Sequence, residues 1–304
     1  MALQQWKRII VNVFRDVNQN HTLSFAAGLS YYFVMALFPA LIMLAGVVAF
    51  LPIPNLFTTI LGTLARVVPQ DSMGLVRKIV ADVITPHHGA LFSVGLLGTL
   101  WTASGGFSAA IEALNVAYDV PETRPFWKTR LLALELTFLI GFLVTAAFAF
   151  MIVGPQFGEF VASHTGLGWA FARGWPTLRL VLSVVFIVLA VEGLYFMAPN
   201  VKQRFLATLP GAILAVVGWV LLSDGLSLYF RKFAHLNHTY GTLGGAIALL
   251  IWLYWSGFII LLGAELNSAI IQERGDGKLL LKQPPLPKVR PRPPATAEDA
   301  KPEV

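Results

Sequence analysis

The chain has 304 residues, of which 56% are hydrophobic and only 12% are charged, and its mean hydropathy is +0.70. Soluble domains carry about 25% charged residues, so the composition excludes an ordinary water-soluble fold and predicts an integral membrane protein. The absence of cysteine excludes disulfides, thiolate metal sites and cysteine nucleophiles. Membrane topology and anionic lipid explain the net charge of +6, and we expect no nucleic-acid partner.

The first 20 residues predict an amphipathic helix on the membrane surface, not a cleavable signal peptide. Polar residues at helical spacing take one side of this helix, and the apolar side consists of Leu3, Trp6, Ile10, Val13, Phe14 and Val17. We therefore assign residues 1–20 to an interfacial helix.

Six later stretches are apolar over roughly the 20 residues that a spanning helix needs. They are residues 26–51, 90–111, 132–153, 177–197, 205–229 and 242–262. The predicted fold is all-α: a polytopic membrane helix bundle of about six transmembrane helices with interfacial amphipathic helices. The transmembrane domain covers residues 21–272.

The distribution of Lys and Arg predicts the orientation of these spans. Fifteen lie on the side of the two termini and seven on the other side. The C-terminal tail supplies seven of the fifteen, so the parity of the span number matters as much as the charge. We expect a multi-pass protein of the bacterial inner membrane with both termini in the cytoplasm.

Two segments are neither spans nor simple loops. Residues 54–88 contain two apolar runs at helical spacing, which predict an outer segment on the membrane face or over the bundle. Residues 273–304 form a basic tail whose last 24 residues include seven prolines, and we expect disorder there. Its PxxP pattern fits an SH3-like partner, but anionic lipid headgroups are the favoured partner of the tail.

Several long segments, in order, resemble the YihY/virulence factor BrkB family, formerly labelled ribonuclease BN-like. The matching segments are FAAGLSYYFVMALFPALI, LWTASGGFSAAIEALNVAYDV, RPFWKTR, LYFMAPN, PGAILAVVGWVLLSDGLSLYF and YGTLGGAIALLIWLYWSGFIILLGAELNSAI. The resemblance covers nearly the whole chain up to about Ile271. It implies a six-helix inner-membrane protein with links to serum resistance and envelope lipid handling, and no agreed molecular activity.

The former ribonuclease label raises metal-dependent hydrolysis, which needs clustered His and Asp ligands. The histidines are His21, His87, His88, His164, His235 and His238. Only the 87–88 and 235–238 pairs are close in sequence, and neither has a neighbouring carboxylate or third ligand. We expect no enzyme, no metal and no cofactor. The sequence also has no nucleotide-binding loop, so transport would depend on a gradient or on another subunit's ATP hydrolysis.

A small-residue stretch in the second span has two interpretations. Thr102, Ser104, Gly105 and Gly106 let helices approach closely, and packing is the favoured interpretation. The Gly105–Gly106 pair could instead break the helix and expose backbone dipoles to a substrate or ion.

Carboxylates within or beside the spans are the other candidate cavity or ligand residues, because ionised groups in hydrocarbon tend to face a bundle interior. Toward the cytoplasmic half lie Glu112, Glu135, Glu192 and Glu265, which could pair with Arg124, Lys128, Arg130, Lys202 and Arg204. Asp224 stands alone toward the outer half. An ion pair with Arg179 or Arg231 and a proton- or ligand-binding role are equally favoured for Asp224.

These features favour transport or translocation of a lipid or envelope-related substrate through a polar cavity of the bundle, with Glu192 and Asp224 at its two mouths. The alternative is a non-catalytic membrane scaffold or assembly factor. Membrane lipids are the expected partners in both cases, and the sequence leaves homo-oligomerisation open.

Overall fold

The computed structural model describes residues 3–50, 58, 61–62, 65, 68, 72–78, 89–152, 154, 168–232, 243–273 and 280–281. Its long helices are α1 Leu3–Gln19, α2 Thr22–Phe50, α3 Gly89–Ala117, α4 Phe126–Ile152, α5 Gly168–Met197, α6 Leu209–Lys232 and α7 Leu243–Glu273. A 3₁₀ turn covers Phe205–Ala207, and two short strands are β1 Val201–Lys202 and β2 Leu280–Leu281. The prediction of an all-α membrane helix bundle is confirmed.

Helices α2 to α7 form a ring. Each contacts the next in the chain, and α7 also contacts α2. By length and composition, α4 to α7 are long and apolar enough to cross a membrane. Helices α2 and α3 have 29 residues each, about 44 Å at 1.5 Å per residue.

Two predicted boundaries differ from the helix ends in the structure. Helix α7 continues to Glu273, eleven residues past the predicted end at Leu262. Its last turns contain Glu265 and Asn267, which lower the hydropathy but are buried against other helices. Helix α6 begins at Leu209 and not at 205, because the apolar residues 205–207 form a separate turn.

Helix α1 has two apolar sides. Ile9 and Val13 are buried against Ala269 and Ile270 of α7, whereas the exposed large side chains are Trp6, Ile10, Val11 and Phe14. The sequence pattern placed Val13 on the membrane side and overlooked Ile9, because a single helix does not reveal which apolar stripe another helix covers. The remaining exposed stripe suits the membrane interface.

Two predicted segments lie largely outside the described residues. Of the outer segment, residues 72–78 form a short helix in which Ser72, Met73 and Val76 are buried. Within the predicted tail, β2 pairs antiparallel with β1, so that Val201 is opposite Leu281. The proline-rich part from residue 282 onward lies outside the described residues.

Most of the buried core residues in the described part of the chain lie at one end of the ring. At the end where α2, α4 and α6 begin and α3, α5 and α7 finish, most of the core residues are buried. We call it the closed end. Toward the opposite end, α5 exposes Leu180, Val181 and Val184, and α6 exposes Val220 and Leu221. Of all neighbours in the ring, α5 and α6 share the least extensive contact.

Candidate functional site: a buried polar network below an open groove

Glu192 is fully buried where α5 meets α6 at the closed end. The Thr208 hydroxyl lies 2.5 Å from Glu192 Oε1, within hydrogen-bond distance. Thr208 immediately precedes α6, and its carbonyl oxygen accepts the first backbone hydrogen bond of that helix, from Ala212. No described group donates to Glu192 Oε2, so one carboxylate oxygen remains available to a proton, a water molecule or a ligand.

Asn267 of α7 joins the start of α6 to the end of α7. Its Oδ1 accepts a 2.7 Å hydrogen bond from Gly211 N, and its Nδ2 donates a 2.7 Å bond to the Thr208 carbonyl. Asn267 therefore satisfies a free amide at the α6 N-terminus, a task that usually falls to a side chain on the same helix. A side chain on Gly211 would overlap Asn267 and the Gly263 backbone, so the crossing requires glycine.

Two buried tyrosines complete this network. The Tyr195 hydroxyl donates to the Ile260 carbonyl, and Gln203 donates to the Tyr195 carbonyl at 2.6 Å. Burial raises the pKa of the Tyr118 hydroxyl well above its usual value, and the nearby Glu192 carboxylate adds to the rise. The Tyr118 phenol therefore stays neutral at physiological pH and can serve as a hydrogen-bond donor.

Glu265 occupies a second buried polar position at the closed end. Asn20 Nδ2 donates to both of its oxygens at 3.1 and 3.3 Å, and Thr22 Oγ1 donates at 3.0 Å. Asn20 and Thr22 flank His21, whose φ of 51° turns the chain from α1 into α2. The turn thus holds the start of the transmembrane domain against α7.

The loops after α3 and α5 interlock beside this network. Asn115 donates to Glu122 at 2.8 Å and accepts from the Asn200 backbone at 2.7 Å. Arg124 pairs with Glu122 at 2.5 Å and donates to the Ala198 carbonyl. Burial alone would raise the pKa of the Glu122 carboxyl, but the hydrogen bonds and charge of Arg124 outweigh it and hold that pKa below the ordinary value of 4.5.

The candidate carboxylates separate into two groups. Glu192 and Glu265 are buried at the closed end, whereas Glu112, Glu135 and Asp224 are exposed. Within the described part of the chain, the ion pairs are Arg8–Glu273, Arg15–Asp16 and Arg124–Glu122. None of the predicted pairings of the four glutamates is among them, and neither is Arg179 with Asp224. The side chain of Arg231 lies outside the described residues.

The small-residue stretch does not break its helix, because α3 runs continuously through it. A side chain on Gly105 or Gly106 would contact the Tyr32 side chain at 3.8 or 3.5 Å. Ser104 is buried and donates to the Trp101 carbonyl at 2.8 Å, and Thr102 is half-buried. These contacts support the packing interpretation.

An apolar groove of about 790 Å³ lies between α2, α6 and α7, above the closed end. It is lined by Ser30, Leu222, Leu226, Tyr229, Leu250, Ile251, Tyr254 and Trp255. Neither Glu192 nor Asp224 lines it, so the structure does not bring these two candidates together in this groove. Its lining residues recur at helical spacing on α6 and α7, but the sequence does not show that the stripe is left uncovered.

Sequence reasoning missed the partners of the buried glutamates, which are Thr208, Asn20 and Thr22. Each is an uncharged polar residue at the end of a span, and counting charges ignores such residues.

Metal-ligating residues form no comparable cluster. The described part of the chain contains no group of three His, Asp or Glu side chains placed to hold a metal ion. Of the histidines, only His21 belongs to that part.

Comparison with known proteins agrees with this architecture. The family model for virulence factor BrkB matches residues 13–286. The chain belongs to the virulence factor BrkB family. No solved structure matches it.

Several relatives in the BrkB family share most of this chain. A ribonuclease-like protein, YfkH, of Bacillus subtilis is 35% identical over 81% of this chain and 88% of its own length. A UPF0761 membrane protein of Aeromonas salmonicida is 24% identical over 83% of this chain and 85% of its own length. A UPF0761 membrane protein of Stenotrophomonas maltophilia is 27% identical over 81% of this chain, which spans only 56% of that protein.

Proposed function

We propose that this BrkB-family protein translocates a lipid, or another amphipathic envelope component, across the bacterial inner membrane, with both termini in the cytoplasm. The observation that carries the proposal is the open apolar groove beside Leu226, within helices of membrane-spanning length. Pockets of roughly 300–1,000 Å³ accommodate small-molecule ligands. Because the groove is apolar and lies among helices long enough to span the membrane, its best occupant is an acyl chain.

The closed end supports the same proposal. Glu192, Asn267 and their partners join α5, α6 and α7 at one end of the ring with hydrogen bonds. A protein that alternates access closes one end at a time, and a hydrogen-bonded end of this kind can serve as such a closure. A scaffold without substrate would need neither the groove nor an unsatisfied carboxylate oxygen.

The test is a lipid-translocation assay with the purified full-length chain in liposomes. Fluorescent phospholipid is placed in both leaflets, and a membrane-impermeant reductant bleaches only the outer one. Protein-dependent translocation is expected to expose the inner pool to the reductant. The assay is run with and without a proton gradient, because a carboxylate such as Glu192 could couple translocation to proton movement.

A matched pair of variants connects the activity to the groove. Leu226→Trp adds bulk inside the groove and is expected to slow translocation. Leu221→Trp makes the same change on the same helix, where the side chain is 66% exposed, and is expected to leave the rate unchanged. If the wild-type chain bleaches no faster than protein-free liposomes under either condition, the translocation proposal fails and the scaffold alternative gains support.

Amide substitutions test the carboxylates separately. Glu192→Gln keeps the shape but removes the charge, and we expect normal folding with a lost proton dependence of translocation. Asp224→Asn is expected to matter only if its exposed side chain meets the substrate or a second copy of the chain.

A further inference from the structure

The side chain of Arg130 joins the first turns of α4 to α3. Arg130 lies one turn into α4, whereas the sequence predicted a position in the loop between the second and third spans. Its Nη2 donates to the Trp101 carbonyl at 3.1 Å, and its Nη1 lies 3.4 Å from Ser108 Oγ. Trp101 is 16 residues before the end of α3 at Ala117, about 24 Å along that helix. On α4, however, Arg130 is only four residues past the helix start at Phe126, so its guanidinium lies about one turn inside the closed end of the bundle.

This guanidinium has no counter-ion among the described residues, whose ion pairs involve other arginines. Glu112 lies one turn beyond Ser108 on α3 but is exposed and unpaired with Arg130. Charged side chains within spanning helices are costly, and they generally mark functional paths. A bound anion would offset this cost.

The surroundings of Arg130 match a lipid phosphate. The guanidinium carbon lies 4.4 Å from the centre of the Trp101 ring. This contact fixes the plane of the guanidinium group. The two hydrogen bonds of Arg130 use two of its five N–H donors. Guanidinium groups bind phosphate through two parallel N–H···O bonds, and the other donors can form them. The Trp101 side chain is 73% exposed, so it offers an apolar surface beside the charge, as an amphipathic lipid requires.

We propose that Arg130, with Ser108 and Trp101, binds the phosphate group of an anionic phospholipid. The inference rests on the proposed function in one respect, because it assigns to this site the headgroup of the translocated lipid.

Equilibrium binding to the delipidated full-length chain in detergent tests the site. Phosphatidylglycerol is the probe, diacylglycerol is the phosphate-free comparison, and inorganic phosphate is the competitor. Phosphatidylglycerol is expected to bind about tenfold more tightly than diacylglycerol, the ratio that one charge-assisted hydrogen bond of about 1.5 kcal/mol provides. Equal binding of the two lipids would overturn the proposal. Complete displacement by inorganic phosphate would overturn the choice of a lipid over a free anion.

Variants assign the binding to Arg130. Arg130→Gln is expected to bring phosphatidylglycerol binding down to the diacylglycerol level, whereas Lys202→Gln, which removes an exposed cation, should change it less than twofold. If Arg130→Gln does not fold, Arg130→Lys retains the charge but loses the paired donors, and binding should still fall severalfold. A purely structural clamp between α3 and α4 would leave the phosphatidylglycerol-to-diacylglycerol ratio of the folded Arg130→Lys variant unchanged, and that result would refute the site.

Translocation by the same variants separates the two proposals. Specific binding at Arg130 without any translocation by the wild-type chain would leave the site standing and remove the proposed function. Translocation that Arg130→Gln does not alter would leave the function standing and remove the site.

Discussion

Gly211→Ala is expected to open the closed end by forcing α6 away from α7. The added Cβ would lie 2.6 Å from Asn267 Cγ and closer still to the Gly263 carbonyl oxygen. Carbon atoms reach their best separation at about 3.5–4.0 Å, so the helices must move apart by roughly 1 Å. The two 2.7 Å hydrogen bonds of Asn267 would then exceed the usual limit of about 3.2 Å.

The magnitude follows from these contacts. Overpacking costs about 1–3 kcal/mol, and each lost hydrogen bond about 1 kcal/mol more. The sum is about 3–5 kcal/mol, which corresponds to a fall in melting temperature of roughly 10 °C for a chain of this size. Thermal unfolding of the purified protein in detergent measures it.

Gly225→Ala is the matched control on the same helix. Its added Cβ meets nothing within 4 Å, and alanine is intrinsically favoured over glycine in helices by about 1 kcal/mol. We expect its melting temperature to equal or slightly exceed that of the wild type. If Gly211→Ala behaves like Gly225→Ala, the close crossing of α6 and α7 is wrong, and with it the role of Asn267.

Three further predictions concern topology, the tail and pH. Reporters fused after Gln272 should be active in the cytoplasm and those near Gln70 outside; activity on the same side of the membrane would refute the six-span arrangement. Deletion after Lys282 retains β2 and should leave yield and melting temperature unchanged, so aggregation of the truncated chain would argue for a docked tail. The pKa of Glu122 is lowered in the folded state, so its pairing with Arg124 stabilises the protein above the ordinary pKa of a glutamate. That stabilisation should be lost as pH falls through the lowered value, and Glu122→Gln should flatten this part of the melting-temperature profile; an unchanged profile would contradict the pairing.

The fold class could be predicted from the sequence because it depends on hydropathy and charge summed over stretches of the chain. Long apolar stretches between charges leave few alternatives to spanning helices, since hydrocarbon offers the backbone no hydrogen-bond partners. The ends of these helices could not be predicted in the same way. The last turns of α7 contain Glu265 and Asn267, which hydropathy assigns to water although other helices bury them.

The site was only partly visible from the sequence. Glu192 and Glu265 attract attention because a carboxylate in an apolar segment is costly. Their partners Thr208, Asn20 and Thr22 carry no charge, and Thr22 and Glu265 lie 243 residues apart in the chain. Only the tertiary structure brings them together.

The sequence by itself determined that this chain crosses the membrane several times and that a few carboxylates lie within its spans. The tertiary structure decided which of these are buried, placing Glu192 inside the closed end and Asp224 on the exposed side of α6. It also turned Arg130 from a loop cation into a charge beside Trp101. The sequence could not decide these placements because they depend on how each helix is rotated about its axis and shifted along its neighbours. Side chains that pack between helices set both quantities, and hydropathy along a single helix carries no information about either.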